Sequence, residues 1–524
     1  MILLNGRIIT QDRAGGIATA MLVQGDSIVA VGTDDQILQL APVGDERVDL
    51  TGWTVVPGLV DAHLHLQWYA QTLDWVDLLG VNSLGRALAL VQARVSATPA
   101  GEWVLGRGWN QNLWPDKRFP AAIDLDAVAP DHPVYLIAHS GHASWVNSLA
   151  LRRADLGAGR ADPPGGEIQR DQTGRLTGIL LEDAAMNLVQ DIIGDPPVAQ
   201  VADAIRRALP FFWKAGVTGV HCMDRWIAFE ALQLLHSNRE LGLRVVKYLP
   251  LDHLEEAIGL GLRSGDGDEW LRIGGVKLFA DGALGVRTAL MLAPYEGEPE
   301  NRGIATLQPE ALHHYSRQAS GAGLAVAVHA IGDRANRWTL DALEKVPSVA
   351  AVPHRIEHVQ LIDPQDAGRF AAHNITASMQ PVHAPSDMMM ADEHWGARSC
   401  HAYAFRDLIQ SGARLAFGSD APVEPFDPLI GIHAAVTRRR LDGRPGPEGW
   451  YPEQRLTATQ ALAGFTLGAA QAAGVDHLLG RLISGYKADL VVLDQDILTI
   501  DPDAIPLTRV RGTMIGGRWV KPLG

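Results

Sequence analysis

Val55-Val56-Pro57-Gly58-Leu59-Val60-Asp61-Ala62-His63-Leu64-His65 is the stretch on which the reading of this chain turns. It joins a short β-branched run, a Pro-Gly break and two imidazoles spaced two apart. In an extended segment residues i and i+2 project to the same side, so His63 and His65 can address one cation. Imidazole is the commonest metal ligand near neutral pH. Alone the pair is weak evidence, because histidines at this spacing also occur in cores and on surfaces. Its weight depends on what the fold delivers to the same place.

Working outward, further short apolar runs read as strands. They are Thr54-Val55-Val56, Val217-Thr218-Gly219-Val220, Gly275-Val276-Lys277-Leu278-Phe279, Ala325-Val326-Ala327-Val328, Arg355-Ile356-Glu357-His358, Ile375-Thr376-Ala377-Ser378-Met379 and Leu415-Ala416-Phe417-Gly418-Ser419-Asp420. Helical stretches such as 204–215, 228–237 and 334–345 lie between them. This alternation predicts βα units and a parallel sheet, approaching the eight repeats of a (β/α)8 TIM-like barrel. Strand C-termini of such a barrel converge on one mouth, where catalytic residues gather. Lys277, His329, His358 and Asp420 each stand at the C-terminal end of an expected strand. With His63 and His65 they make a convergence that packing does not explain.

The chain ends differ from its middle. Ile2-Leu3-Leu4, Arg7-Ile8-Ile9, Ala20-Met21-Leu22-Val23 and Ser27-Ile28-Val29-Ala30-Val31 are strand-like and punctuated by glycine. Ala488-Asp489-Leu490-Val491-Val492-Leu493 reads the same way, and residues 509–520 read as a hairpin. The expectation is one small β-sandwich domain built from both termini (1–56 plus 478–524) beside a barrel over 57–477. Residues 101–185, rich in Pro and Gly and containing Trp103, Trp109, Trp114 and Trp145, separate the first two units too widely. Connections this long are functional or carry their own structure, so this one is expected as an insertion over the barrel mouth.

Composition excludes several classes. Net charge is −15, from 45 Lys+Arg against 60 Asp+Glu, which argues against phosphate-backbone binding and hence against a nucleic-acid partner. The one basic run, Arg438-Arg439-Arg440 with Arg444 nearby, lies in a Gly/Pro-rich stretch and reads as a solvated loop more than an anion site. Two cysteines, Cys222 and Cys400, make neither a disulfide framework nor a CxxC metal site, so a reducing compartment is expected. No basic, apolar leader opens the chain and no run approaches the roughly 20 apolar residues that span a bilayer. A cytoplasmic protein with no membrane partner is the expectation, and an exposed barrel flank leaves room for a homodimer.

Lysine ammonium has no lone pair and cannot bind a metal. Lys277 therefore has two readings: a carbamate, formed with CO₂, whose two oxygens bridge two cations, or a substrate-binding or ion-paired lysine beside a single metal.

Residues 57–65, the strand lysine, the two later histidines and Ser419-Asp420 resemble the amidohydrolase superfamily. Within it, Val276-Lys277-Leu278-Phe279-Ala280-Asp281-Gly282-Ala283-Leu284-Gly285, Val328-His329-Ala330-Ile331-Gly332-Asp333, Arg355-Ile356-Glu357-His358 and Met379-Gln380-Pro381-Val382-His383 resemble the YtcJ-like branch, the amidohydrolase-3 group that includes N-substituted formamide deformylases. The likeness runs from Asn5 to Val520. It extends to the insertion through Ala138-His139-Ser140-Gly141-His142-Ala143-Ser144-Trp145-Val146-Asn147 and Pro164-Gly165-Gly166-Glu167-Ile168. One departure is Val286, where many relatives carry Ser, a change that bears on pocket polarity.

The resemblance implies a metal-dependent hydrolase that cleaves the C–N bond of an amide, formamide or carbamate through a metal-activated hydroxide. It implies His63, His65 and Asp420 on a first divalent metal and His329 and His358 on a second, two Zn²⁺ bridged by carboxylated Lys277. Mn²⁺, Fe²⁺ and Co²⁺ suit similar donors. Asp420 is also the proton carrier. His383 is either an electrophile or leaving-group contact, or a loop histidine beside Asp387. Trp109, Glu182, Asp281 and Arg287 are candidate substrate contacts, as is His142, whose alternative is a structural role. Trp145 and Trp395 are candidate pocket walls that fit the core equally. The competing functions are an esterase, lactonase or deaminase on the same centre, since fold does not dictate chemistry, and a non-catalytic binding protein.

Overall fold

The computed structural model describes residues 1–524 apart from 13, 43, 158 and 195. Eight parallel strands form the central sheet: β1 (Leu59–Leu64), β2 (Val217–Cys222), β3 (Arg244–Pro250), β4 (Leu271–Phe279), β5 (Val326–Ala330), β6 (Arg355–His358), β7 (Thr376–Met379) and β8 (Arg414–Phe417). Each pairs with its neighbours in chain order. Asp420 N–H donates to the His63 carbonyl (2.7 Å) and His65 N–H to the Ala421 carbonyl (2.8 Å), which draws the end of β8 onto β1 and makes the sheet a barrel. Gly418 permits that approach: a Cβ there would lie 2.4 Å from the His63 nitrogen.

The helix Val198–Lys214 shows how the outer layer forms. Its buried residues, Val201, Ala204, Ile205, Ala208, Leu209 and Phe212, recur at helical spacing and enter the same core as Val217 and Val220 of β2.

One expected strand changed place, and one strand was not expected. Thr54–Pro57 belongs to the terminal sheet, and the barrel begins after Gly58. One apolar run thus serves two units in succession. Arg244–Pro250 was not anticipated, because Arg244 and Lys247 break its apolar pattern. Both charges are buried and answered: Arg244 makes a two-pronged ion pair with Asp489 (2.5 and 2.9 Å), and Lys247 Nζ donates to the carbonyls of Asp224 and Tyr248.

Strands from both chain ends form the two sheets of a sandwich. One runs 27–32, 20–24, 2–4, 47–49, and the other runs 518–521, 510–515, 490–493, 54–57, 7–9, 17–18. Val55 and Val492 are register partners facing the sandwich core with Ile8 and Met514. Their neighbours Val56 and Val491 face the barrel core instead, as the two-residue period of a strand demands.

Five strands of the insertion and one that precedes it, 76–77, form a six-stranded sheet ordered 167–170, 176–181, 143–146, 134–138, 104–109, 76–77, over a separate core that holds Trp109 and Trp145. Arg438 also departs from expectation. It is fully buried, and its guanidinium donates to the carbonyls of Trp450, Tyr403 and Ala402, closing loop ends together. Among the described residues no helix is long and apolar enough to cross a membrane.

Candidate functional site

The barrel brings the six expected polar residues to one mouth, where all six line a cavity of about 920 Å³. His63 sits near the end of β1, and His65 caps the helix that follows. Their Nε2 atoms lie 3.4 and 3.3 Å from Asp420 Oδ1. Asp420, three residues beyond β8, has φ 62°, a left-handed turn that aims its carboxylate back across the mouth. His358 ends β6 with φ 73°. Its ring centre is 4.7 Å from that of His63 and 4.5 Å from that of His329 on β5. Lys277 Nζ, from β4, stands 5.0 Å over the Phe279 ring.

Among the described residues, the buried atoms here that lack a hydrogen-bond partner include His63 Nε2, Lys277 Nζ, His383 Nε2 and Asp420 Oδ1. A buried polar atom left unsatisfied costs about 1–3 kcal/mol, so such a cluster calls for a ligand. Ligand atoms of His63, His65 and Asp420 lie within 4.8 Å of one another, as do those of His358, His383 and Asp420. Two imidazoles and a carboxylate are an apt donor set for a divalent cation.

The second layer sets the tautomers. His63 Nδ1 donates to Glu357 Oε2 at 2.5 Å, leaving Nε2 with its lone pair toward Asp420. His358 Nδ1 donates to Gln380 Oε1 (2.9 Å), with the same consequence. His329 is turned the other way: Nε2 donates to the Gly282 carbonyl (3.0 Å), and Nδ1 keeps the lone pair. Gln360 Nε2 donates to His383 Nδ1 (3.2 Å), so His383 presents Nε2–H as a free donor.

Glu357 is itself gripped by Arg355, whose Nε and Nη2 reach its two oxygens at 2.5 and 2.9 Å. Burial opposes the Glu357 charge, but Arg355 and then His63 outweigh it and hold the carboxyl well below its usual range. Burial and the same arginine keep His221, an acceptor of Arg355 Nη1 at 2.8 Å, neutral. Asp61 accepts from the backbone N–H groups of His63 (3.1 Å) and Ser419 (3.0 Å), tying β1 to the Asp420 turn. Burial pushes Asp61 up to about 7. Burial also draws the Lys277 ammonium down to about 8, against the pull of Glu357 and Asp420.

Sequence reasoning missed Asp61, Arg355, Glu357 and Gln380. The available signal was Arg355 and Glu357 at i and i+2 of a strand expected to be buried, where opposite charges on one face imply a pair.

Of the two insertion residues expected at the mouth, His142 lines both cavities, whereas Glu182 lines neither and stands behind it. His142 Nδ1 donates to Glu182 Oε2 (2.8 Å), and the other Glu182 oxygen accepts from the Thr288 hydroxyl. The His142 ring centre is 5.2 Å from that of His329. Burial opposes its charge, but Glu182 prevails and raises the imidazole to about 9. Trp109 and His383 line a smaller cavity alongside. Asp281 and Arg287 line neither cavity. Asp281 braces a loop by accepting the N–H groups of Leu290, Ile331 and Gly332, and Arg287 pairs with Glu298 at 2.7 Å. Trp145 and Trp395 are fully buried in the core.

A barrel mouth with an HxH pair, two further strand histidines, a buried lysine and a facing aspartate defines a metal-dependent hydrolase. Residues 46–521 match the model of the amidohydrolase family, and the chain belongs to that family. It is 33% identical to the putative amidohydrolase YtcJ of Bacillus subtilis (strain 168), over 97% of this chain and 98% of that one. It is 30% identical to the N-substituted formamide deformylase of Arthrobacter pascens, over 95% and 93%. The crystal structure of an uncharacterized metal-dependent hydrolase from Pyrococcus horikoshii OT3 superposes with a TM-score of 0.79 at 29% identity, covering 96% of this chain and 98% of that one. The chain is accordingly a metal-dependent amidohydrolase.

Proposed function

We propose that the enzyme hydrolyses the C–N bond of a small-molecule amide, formamide or carbamate. The observation that carries this is the convergence of buried, unpartnered His63 Nε2, Asp420 Oδ1 and Lys277 Nζ on one cavity. In this reading His63, His65 and Asp420 would hold one divalent cation, and His329 and His358 a second. Lys277, as a carbamate, would bridge the two; its lowered ammonium pKa favours the free amine, whose lone pair adds to the carbon of CO₂ with loss of a proton from nitrogen. Zn²⁺ suits these donors. Bound there, a divalent cation acidifies water and polarises the scissile carbonyl.

The chain's own residues do the rest. Asp420 takes the proton of the attacking water and passes it to the departing amine. The free Nε2–H of His383 meets the carbonyl oxygen or the leaving nitrogen. His142, oriented by Glu182, faces the substrate from the insertion. Likeness to the A. pascens deformylase supports C–N cleavage. Cys222 and Cys400 are free thiols, which supports a reducing, cytoplasmic setting.

The test is metal analysis of protein expressed with zinc and bicarbonate, followed by a panel of amides, esters and aminated rings. Two equivalents of metal, with turnover of amides or formamides, is the expected outcome. Turnover confined to esters or aminated rings would overturn the C–N reading, and one equivalent with an unmodified Lys277 would overturn the bridge.

A further inference from the structure

The large cavity extends past the ligand cluster along the helix Glu182–Ile193, which follows the last strand of the insertion. Asp183, Met186, Asn187 and Gln190 line it, and their spacing puts them on one face of that helix. The two acids that open the helix part company. Glu182, with φ 62°, turns behind His142 and bonds it, whereas Asp183 is open to the cavity.

Among the described residues Asp183 accepts no hydrogen bond and makes no ion pair. Outside the ligand cluster, the cationic groups that line the cavity have carboxylates of their own. His142 lies 2.8 Å from Glu182, Arg225 3.6 Å from Asp191, and Arg207 2.8 Å from Asp74. Asp224 is engaged by the N–H groups of Gln67 and Trp68 at 2.7 and 3.3 Å. Asp252 and Glu255 also line the cavity, exposed and without an ion pair among the described residues. The wall therefore carries a surplus of negative charge. The charge of Asp183 is felt at His142 and at Lys277, which places it beside the ligand cluster.

The protein around the cavity withholds water from this carboxylate. Burial raises the carboxyl above its ordinary range, against the pull of His142. An anion in that setting is stabilised by a cation brought to it. A second observation asks for a hydrogen-bond donor: Gln67, 6% exposed, lines the same cavity, and its Oε1 is buried with no partner. A protonated amine offers three donors and no acceptor. Trp68, Leu105, Met186 and Phe279 add apolar wall, which suits the carbon chain that carries such a group.

We propose that this cavity selects substrates whose amine portion carries a second, protonated nitrogen, and that the Asp183 carboxylate anchors that nitrogen. The assignment rests on the C–N hydrolysis reading and names its substrate class: diamines acylated on one nitrogen and charged at the other. Asp183 sets specificity and takes no part in the chemistry.

The test is kcat/KM for N-(ω-aminoalkyl) formamides and acetamides with three to five carbons in the chain. Each is compared with the alkyl amide in which CH₃ replaces the ammonium, and with the ω-carboxylate. A hydrogen bond to a charged group is worth about 10–100-fold in binding, so the best ammonium substrate should exceed its neutral partner by that factor. The carboxylate should rank last. The gain should fall on KM more than on kcat, because the anchor binds ground and transition states alike. Asp183→Asn, which keeps the shape, should bring the ammonium-to-methyl ratio near one. Asp183→Glu should retain a preference, and Asp183→Lys should put the carboxylate first. Each ratio is taken within one protein, so any loss of folded fraction cancels. Calorimetry on the metal-loaded protein should show hexylammonium bound more tightly than hexan-1-ol, with Asp183→Asn removing the difference.

A ratio near one in the wild type, preference for the carboxylate, or a ratio unmoved by Asp183→Asn would overturn the assignment. If no amide reacts, the C–N reading falls and calorimetry decides. Tighter binding of hexylammonium that Asp183→Asn abolishes supports the anchor; equal binding, or a preference that Asp183→Asn retains, overturns it.

Discussion

Glu357→Gln is the most informative single change, because one carboxylate both orients His63 and neutralises Arg355. It accepts from His63 Nδ1 at 2.5 Å and from the Arg355 guanidinium at 2.5 and 2.9 Å, and all three side chains are fully buried. Glutamine keeps the shape and one acceptor but no charge. The Arg355 cation then stays buried with only neutral partners: the Ala62 carbonyl, Ser378, Tyr248 and His221. Removing one partner of a buried pair costs about 3–5 kcal/mol. Set against a typical total stability of about 5–15 kcal/mol, that is a large fraction. Loss of an outer-shell partner of a metal-binding histidine costs about 10–100-fold in metal affinity.

Urea denaturation of the apo-protein reads the first effect and chelator competition for Zn²⁺ reads the second. The pH sign is fixed by direction: the folded carboxyl lies well below its usual value, so its stabilisation is present above the unfolded value. That stabilisation is lost as pH falls through the folded one. The wild type should therefore lose stability toward acid more steeply than Glu357→Gln. The double variant Arg355→Gln/Glu357→Gln should regain stability, since no charge stays buried, while metal affinity stays low. Unchanged Zn²⁺ affinity in Glu357→Gln, or a double variant that binds Zn²⁺ like the wild type, would refute the orienting role.

Asp420→Asn should lower kcat by at least about 100-fold, as expected for losing a positioned proton carrier, and should release metal on dialysis. Glu182→Gln should return the His142 titration, read by NMR on the apo-protein, from about 9 toward about 6.5. In the wild type that raised value stabilises the fold fully below about 6.5 and is lost as pH rises through about 9, a contribution on the order of 3 kcal/mol. Denaturation midpoints of the two proteins should thus differ at pH 6 and converge above pH 9. Asp489→Asn uncouples Arg244 from the terminal sandwich and should cost about 3–5 kcal/mol in urea unfolding. Gly418→Ala, whose Cβ would sit 2.4 Å from the His63 nitrogen, should give little soluble protein, because backbone rather than a flexible side chain must yield.

Much of the fold was legible because barrel strands, buried on both faces, are written as short apolar runs between amphipathic helices. Where charge entered such a run the pattern failed. Arg244–Pro250 was invisible because Asp489, 245 residues from Arg244, answers its first residue. Residues 54–56 read both as a barrel strand and as the end of the sandwich segment, because adjacent strands of sandwich and barrel share one apolar texture, and only pairing with Leu490–Leu493 separates them. The basic run misled for the same reason. Arg438 is held by the carbonyls of Trp450, Tyr403 and Ala402, which no local pattern announces.

The chain by itself determined the class of barrel, the two-ended sandwich, the inserted segment and the residue types that converge on the mouth. These follow from local periodicity and from the rule that parallel strands end on one side. Only the tertiary structure decided which nitrogen of each histidine faces the centre. It also drew Asp281 away from the cavity into a loop brace, and it made Glu357 the partner of His63. Those outcomes depend on hydrogen bonds between residues up to 294 positions apart, as in His63 to Glu357, where spacing in sequence carries no information about distance in space.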